Sequence, residues 1–345
     1  MTIHEDRDII VRRSRSREHQ RRAQFQLRRG EVQAPRTEAR PPRRRIPLRE
    51  PSRRKQGERD LARMMLWPSY RREASAMTTS IDRLSVEAIH HDLQATSVGQ
   101  RIYLYDEVDS TNARLRALAR AGATDGTVVL AESQRVGRGR LGAIWFSPDG
   151  VNLYVSVLFR RMLTPTTARL FSFIASLAIG DAINDEGVSP GYRWPNDVLI
   201  DGKKVAGVLG DAEINDGRVD SLILGAGVNL NVTPSELREA LGASGRFASS
   251  VAAAAKRDID RNAFTAHYLN HLDDWVARWT ADGAGAIVAA WRDRDILTGC
   301  RVLVREGTAE FVGRVIGLDS TGYLIVRDSL GHRRIVSYGE IRATD

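Results

Sequence analysis

Hydrophobic periodicity lets a chain bury one face of a helix or strand, and here it begins only at Met77. Residues 1–76 hold 22 of the 52 Lys and Arg, 10 of the 43 Asp and Glu, and 6 of the 11 Pro. Their apolar residues are sparse and interrupted by runs such as Arg12-Arg13, Arg43-Arg44-Arg45 and Arg53-Arg54-Lys55. Burial on that scale does not offset the entropy of ordering the chain, so 1–76 is expected to be a disordered basic tail. Ten interspersed acidic residues argue against a transit peptide. Met77, opening Met-Thr-Thr-Ser, reads as close to the functional start, with 1–76 an accessory tail or an over-extended start.

The tail changes what the net charge means. The whole chain carries +9 with a pI near 10.1, which by itself suggests a nucleic-acid partner. Residues 77–345, however, hold 30 basic against 33 acidic residues, a net −3. The excess positive charge is entirely the tail's. A single cysteine, Cys300, excludes an internal disulfide framework and a cysteine-rich zinc site. The longest strongly apolar stretch, Phe171 to Gly180, is expected to be too short to span a membrane. No signal-peptide core is evident, so the cytoplasm is the expected compartment.

From Met77 the period alternates. Helical spacing predicts helices over Leu84–Leu93, Asn112–Ala121, Ala168–Asp185 and Asn262–Trp279. Any of Ser110, Thr111 and Asn112 could cap the second of these. Strands are predicted over Arg101–Asp106, Thr127–Glu132, Asn152–Arg160, Val198–Ile200, Lys204–Glu213 and Leu222–Asn231. After Gly299 the texture becomes four short alternating segments, Arg301–Arg305, Glu310–Asp319, Tyr323–Asp328 and Arg333–Tyr338, divided by glycines. This predicts an α/β domain over 77–295 and a small antiparallel β-barrel over 296–345.

Gly137-Arg138-Gly139-Arg140-Leu141-Gly142 matches G-x-G-x-x-G after a strand. A dinucleotide fold needs those glycines to open a helix, with an acidic residue about 20 positions on. Neither condition is met, and no Walker-type loop occurs anywhere. What remains is a glycine-rich loop offering two guanidiniums to anionic oxygens, suited to a lid that orders over a charged substrate. A solvated basic turn would look the same in isolation.

Its neighbours decide between them. The blocks Asp106-Glu107-Val108-Asp109-Ser110-Thr111-Asn112, Ala131-Glu132-Ser133-Gln134 and Trp145-Phe146-Ser147-Pro148 bracket this loop, and Asn152-Leu153-Tyr154-Val155-Ser156 follows. Arg193-Trp194-Pro195-Asn196-Asp197, Lys203-Lys204-Val205-Ala206-Gly207-Val208-Leu209 and Gly225-Ala226-Gly227-Val228-Asn229 come next. In order and spacing these blocks resemble the biotin–protein ligases, over about residues 80–345. The resemblance implies an α+β fold: a mixed sheet flanked by helices, like a class II aminoacyl-tRNA synthetase core, followed by an SH3-like barrel. It implies that biotin and MgATP give biotinyl-5′-AMP and pyrophosphate. Biotin then passes to a lysine of the biotin carboxyl carrier protein of acetyl-CoA carboxylase or a related carboxylase.

Roles follow from the same resemblance. Lys204 neutralises the biotin carboxylate and the α-phosphate, two anions that must meet. Lys203 is its rival, but strand neighbours point to opposite faces, so one of the two enters the site. Ser110, Thr111, Asn112 and Gln134 bind the polar groups of biotin, while Gly207, Gly225 and Gly227 let the backbone lie close to it. Arg138, Gly139 and Arg140 close over the adenylate, and Trp145 packs at the nucleotide end. Asn196 and Asp197 stand at the nucleotide and acceptor-lysine end, where Asp197 orients or deprotonates the incoming amine. Asn229 is a further ATP-side candidate.

One departure is Ala143, where members of the family often carry an arginine. No nucleotide contact is assigned to the C-terminal module, and no protein-only metal site is expected. His267 and His271 stand i, i+4, but Tyr268 replaces the glutamate a zinc protease needs. No winged helix fits in Met77–Gln100, so the resemblance is to the monofunctional type and specific DNA binding is not expected. A homodimer is left open. The competing readings are a lipoate or octanoyl transferase on the related fold and a ligase whose basic tail also binds nucleic acid.

Overall fold

Caps and turns set where the elements of this chain begin. The structure, a computed structural model, describes residues 83–161 and 163–344. The expected disordered tail and the start at Met77 lie outside the described residues. Helix α1, Val86–Asp92, starts at Ser85, whose hydroxyl accepts from Ala88 N. Strand β1, Ile102–Val108, leads into α2, Thr111–Arg120, with Ser110 at the cap position but with no side-chain cap hydrogen bond. Strands β2, Val128–Gln134, and β3, Leu153–Phe159, follow, separated by a single 3-10 turn at Arg140–Gly142.

Helix α3, Pro165–Asp185, opens on a capping box in which Thr164 and Thr167 exchange hydrogen bonds. Its 21 residues revise the expectation that no stretch could span a membrane. By length and composition it could, and 72% of its most apolar stretch is buried inside the fold. Next come β4, Gly191–Arg193, β5, Asp197–Ile200, β6, Lys203–Asn215, and β7, Arg218–Val228. Helices α4, Pro234–Leu241, α5, Val251–Ala255, α6, Arg261–Asp282, and α7, Ala284–Arg292, complete this part. Helices α4, α5 and α7 and strand β4 were not foreseen, being short and without a sustained apolar stripe.

The seven strands form one sheet in the order β1-β2-β3-β7-β6-β5-β4. Only β1 and β2 run parallel; the other pairs are antiparallel. Helix α3 packs on β6 and β7 and against α6 and α7. On the opposite face α2 covers a smaller cluster of Leu115, Ala119, Val129, Leu158 and Ile223. The mixed sheet flanked by helices is therefore as expected. A buried ion pair, Arg261 Nη1 to Glu132 Oε2 at 2.8 Å, ties α6 to β2.

The C-terminal module is an antiparallel sheet ordered β11-β10-β9-β8-β12. Its strands are β8, Arg301–Glu306, β9, Ala309–Leu318, β10, Leu324–Asp328, β11, Arg333–Val336, and β12, Glu340–Ala343. That is five strands where the sequence pattern predicted four. The fifth runs Glu-Ile-Arg-Ala, too short to show an alternation. Trp194 Nε1 donates to Gly322 O at 3.0 Å and Arg169 to Thr321 O at 2.7 Å, seating the module against the main sheet.

Candidate active site

Strand alternation puts Ile223, Gly225 and Gly227 of β7 on one face, and Leu158, Ser156 and Tyr154 of β3 beside them. Ile223 and Leu158 lie under α2, so the floor farther along is left to glycines. A Cβ on Gly225 would collide with the Asn112 side chain, and one on Gly227 with the Trp145 indole. These glycines are required by close approach rather than by a turn. Gly207 stands opposite Gly227, and Asp197 opposite Gly207, extending the same row across β6 and β5.

At the α2 end the site is a closed network of neutral groups. Thr111 N and Oγ1 donate to Gln134 Oε1 at 3.0 and 3.2 Å. Gln134 Nε2 donates to Ser147 Oγ at 3.0 Å. The Ser156 hydroxyl lies 2.8 Å from Thr111 Oγ1 and 2.6 Å from Asn112 Oδ1, and Asn112 Nδ2 donates to Leu209 O at 3.3 Å. Ser110, Thr111, Asn112 and Ser156 are all buried. Next to this network the Trp145 Nε1 donor is buried without a partner among the described residues. An unanswered donor of that kind suits a ligand acceptor.

At the other end the site is charged. Asp197 Oδ1 lies 2.5 Å from Lys204 Nζ, and its Oδ2 accepts from Arg193 Nη2 at 2.7 Å. Lys204 Nζ also stands 5.4 Å from the centre of the Trp145 ring. A β-bulge places it there. Val198 pairs with Ala206 but Leu199 pairs with Lys204, so Val205 is an extra residue in β6. Plain alternation from Gly207 would have sent Lys203 toward the site. The bulge shifts the phase and brings Lys204 in, its Nζ and Cε 3.1 Å from where a Cβ on Gly207 would lie. Lys203 is exposed.

Arg140 reaches the same end, its Nη1 donating to Asn196 Oδ1 and its Nη2 to Gly339 O, each at 3.4 Å. Burial pulls the Arg140 guanidinium below its ordinary pKa, while the Asp197 charge opposes that shift. Asn196 Nδ2 donates to Val208 O at 2.6 Å, which fixes its oxygen toward Arg140. Lys204 and Arg193 share the Asp197 carboxylate and Arg140 stands near it without an ion pair, a surplus of two positive charges suited to phosphate and carboxylate oxygens.

The glycine-arginine loop is a small hairpin. Gly139 N donates to Ala143 O at 2.7 Å and Trp145 N to Gly137 O at 3.0 Å. Its tip, Leu141, is 76% exposed with φ of 55°, a conformation that costs a side-chain-bearing residue about 1–2 kcal/mol. Arg138 is exposed, and its guanidinium makes no hydrogen bond or ion pair among the described residues. Asn229 is not brought to the cluster by its amide, which donates to Ser249 O at 3.0 Å. Ser249 N in turn donates to Lys204 O at 3.0 Å, so Asn229 braces the segment beside Lys204.

Ser147, Ser156, Arg193 and Gly339 of this arrangement were not foreseen. Ser156 had a signal: the one small polar side chain in the fully buried run Leu153–Phe159. Arg193 also had one, since it faces Asp197 directly across β4 and β5. Gly339 had none, because its carbonyl arrives from the C-terminal module.

Residues 104–229 match the biotin/lipoate A/B protein ligase family, and residues 298–342 the biotin protein ligase C terminal domain. A biotin--[acetyl-CoA-carboxylase] ligase of Paracoccus denitrificans is 35% identical over 243 residues, 68% of this chain and 96% of that protein. One of Mycobacterium tuberculosis (strain ATCC 25618 / H37Rv) is 32% identical, covering 76% of this chain and 98% of that protein. The bifunctional ligase/repressor BirA of Bacillus subtilis (strain 168) is 28% identical, covering 77% and 82%. In fold, the chain resembles a biotin protein ligase from Aquifex aeolicus solved with biotin and ATP. That likeness has a TM-score of 0.59 at 24% identity and covers 71% of this chain and 99% of that one.

Proposed function

The chain belongs to the biotin protein ligase family, and from that premise we propose that it activates biotin with ATP and biotinylates a carrier protein. A biotin carboxylate oxygen attacks the α-phosphorus of ATP, giving biotinyl-5′-AMP and pyrophosphate. The ε-amine of an acceptor lysine then attacks the activated carbonyl, and AMP leaves. The acceptor is the biotin carboxyl carrier protein of acetyl-CoA carboxylase or a related carboxylase, and the reaction is cytoplasmic.

The observation that carries this reading is the charged cluster of Lys204, Asp197, Arg193 and Arg140 at the end of the glycine floor. Lys204 neutralises the carboxylate and α-phosphate as they approach, and Arg140 adds a second cation over the phosphates. Support comes from the placement of Lys204 Nζ beside Gly207 and over the Trp145 ring. Thr111, Asn112, Gln134 and buried Ser110 serve the ureido end of biotin, with Gly225 and Gly227 beneath it. Asp197 accepts or orients the acceptor amine once Lys204 has turned to the adenylate. Arg138 and Gly139 complete the loop that keeps water from the mixed anhydride. Asn196 orients Arg140, and Asn229 supports the nucleotide side through the 249 segment.

Magnesium accompanies ATP and offsets phosphate charge when bound. Asp197 is the carboxylate nearest the cations of the site and would be the side chain available to such an ion alongside the phosphates. Lipoate transfer is disfavoured by the match of residues 298–342 to a module described for biotin ligases. Incubation with MgATP, biotin and a carrier domain, read by acceptor mass, tests the proposal. One added biotinyl group is expected; lipoate transferred in its place would overturn it.

A further inference from the structure

Helix α2 meets β6 in a ladder of three rungs. Asn112 Nδ2 donates to Leu209 O and Arg116 forms an ion pair with Asp211. Arg120 Nε and Nη2 both donate to Glu213 Oε1, at 3.1 and 2.7 Å. The helix partners stand four apart and the strand partners two apart. Four helical residues rise about 6.0 Å and two strand residues about 6.7 Å, so the two rows stay in step. Leu209, Asp211 and Glu213 pair with Gly225, Ile223 and Ser221 of β7, which places them on the face that α2 covers.

Apolar packing does not index the helix along that direction. The cluster beneath α2 is small, and burial of apolar surface is not directional. Helix α2 packs over β2, β3 and β7, and it reaches β6 through the side chains of the ladder. Glu213 is held from its own sheet as well, accepting from Ser221 Oγ at 3.4 Å. Both ion pairs are partly exposed, so solvent screening leaves them little weight in stability. Their effect is geometric: a slide of α2 along β6 breaks both at once.

The first rung lies in the site, and the other two lie outside it. Asn112 belongs to the neutral network at the end assigned to the ureido group. Arg120 stands eight residues farther on, about 12 Å along the helix. The same strand carries Lys204 at the charged end of the site. From Leu209 to Lys204 there are four strand steps once the extra residue Val205 is discounted, about 13 Å. The ladder therefore sets the span between the groups that face the two ends of one substrate.

We infer that Arg116, Arg120, Asp211 and Glu213 are positioning residues that make this span a gauge of substrate length. The acid selected is one whose ring and carboxylate are separated as in biotin. The inference rests on the proposed function and adds to it the residues that discriminate chain length. With both ends fixed, an acid one methylene shorter or longer seats its ring only by drawing its carboxylate away from Lys204. A helix that can slide along β6 loses that discrimination.

The experiment compares wild type, Asp211→Asn/Glu213→Gln, Arg120→Glu and Arg120→Glu/Glu213→Arg as full chains. ATP–pyrophosphate exchange is measured with biotin and with its analogues one methylene shorter and one longer in the side chain. Wild type should prefer biotin over each analogue by about tenfold or more in kcat/KM. In Asp211→Asn/Glu213→Gln and in Arg120→Glu that preference should fall to about threefold or less, with the ATP KM unchanged. The reversed pair Arg120→Glu/Glu213→Arg re-forms the outer rung and should recover most of the preference. Should Asp211→Asn/Glu213→Gln misfold, Arg120→Glu and its reversal carry the test at the exposed end of the helix.

A loss shared equally by all three acids, with the preference intact, would overturn the inference and leave the ladder a support for α2. A reversed pair no better than Arg120→Glu would overturn it too, as would a wild type that treats the three acids alike. A wild type that exchanges pyrophosphate with none of them would instead sink the ligase reading, and the gauge with it.

Discussion

The two ends of the glycine floor solve different problems with the same sheet. Toward α2, Thr111, Asn112, Gln134, Ser147 and Ser156 form a neutral network in which buried polar groups answer one another. Toward β5, Lys204 and Arg193 share the Asp197 carboxylate and Arg140 adds uncompensated charge. Neutral buried networks are rigid and specific, because any unpaired member carries a desolvation cost. A cluster with surplus positive charge suits phosphate and carboxylate oxygens. The contrast predicts that damage at the charged end appears in rate, and damage at the neutral end in affinity and stability.

The largest effect expected is at Lys204. Replacing it with Ala should slow adenylate formation by about a thousandfold, measured as ATP–pyrophosphate exchange. Lys203→Ala should stay within about twofold, because the bulge at Val205 turns it outward. Equal losses in both variants would break the assignment. Next is Ser156→Ala, which removes the single hydroxyl that the buried Thr111 and Asn112 oxygens share. It should cost about 1–3 kcal/mol of stability by denaturant titration, and biotin affinity should fall while kcat holds. A purely kcat defect would erase the distinction between the ends.

Arg193→Gln tests whether the shared carboxylate is set by both of its cations. Partial exposure limits the effect to about 1 kcal/mol, roughly fivefold in the transfer rate, with biotin affinity unchanged. The smallest change expected is at the loop tip. Leu141→Gly relieves a positive φ at an exposed position and should raise stability by about 1 kcal/mol or less, read as Tm. A lower Tm would show that Leu141 makes contacts the strain argument omits.

Much of this arrangement is legible in the residues themselves. The runs that became β2, β3, β6 and β7 carry strand periods, and the motifs around Thr111, Gln134 and Lys204 lie on or beside them. Short elements escaped, because β4 and β12, of three and four residues, give no measurable period. Ser156 could have been found as a hydroxyl inside a run otherwise made of core residues.

Hydrophobic period, glycine placement and the concentration of positive charge in residues 1–76 are local properties, and the sequence by itself determined them. It also determined that only one of two adjacent lysines can enter the site, since strand neighbours diverge. Which one was decided by tertiary structure. A single extra residue at Val205 shifts the phase of β6, and that phase is set by pairing with β5 rather than by any local preference. The Gly339 carbonyl beside Arg140 and the pairing of Arg301, Arg314, Arg327 and Arg333 across β8 to β11 have the same origin. Each joins residues far apart in the chain, and only strand register and module packing bring them together.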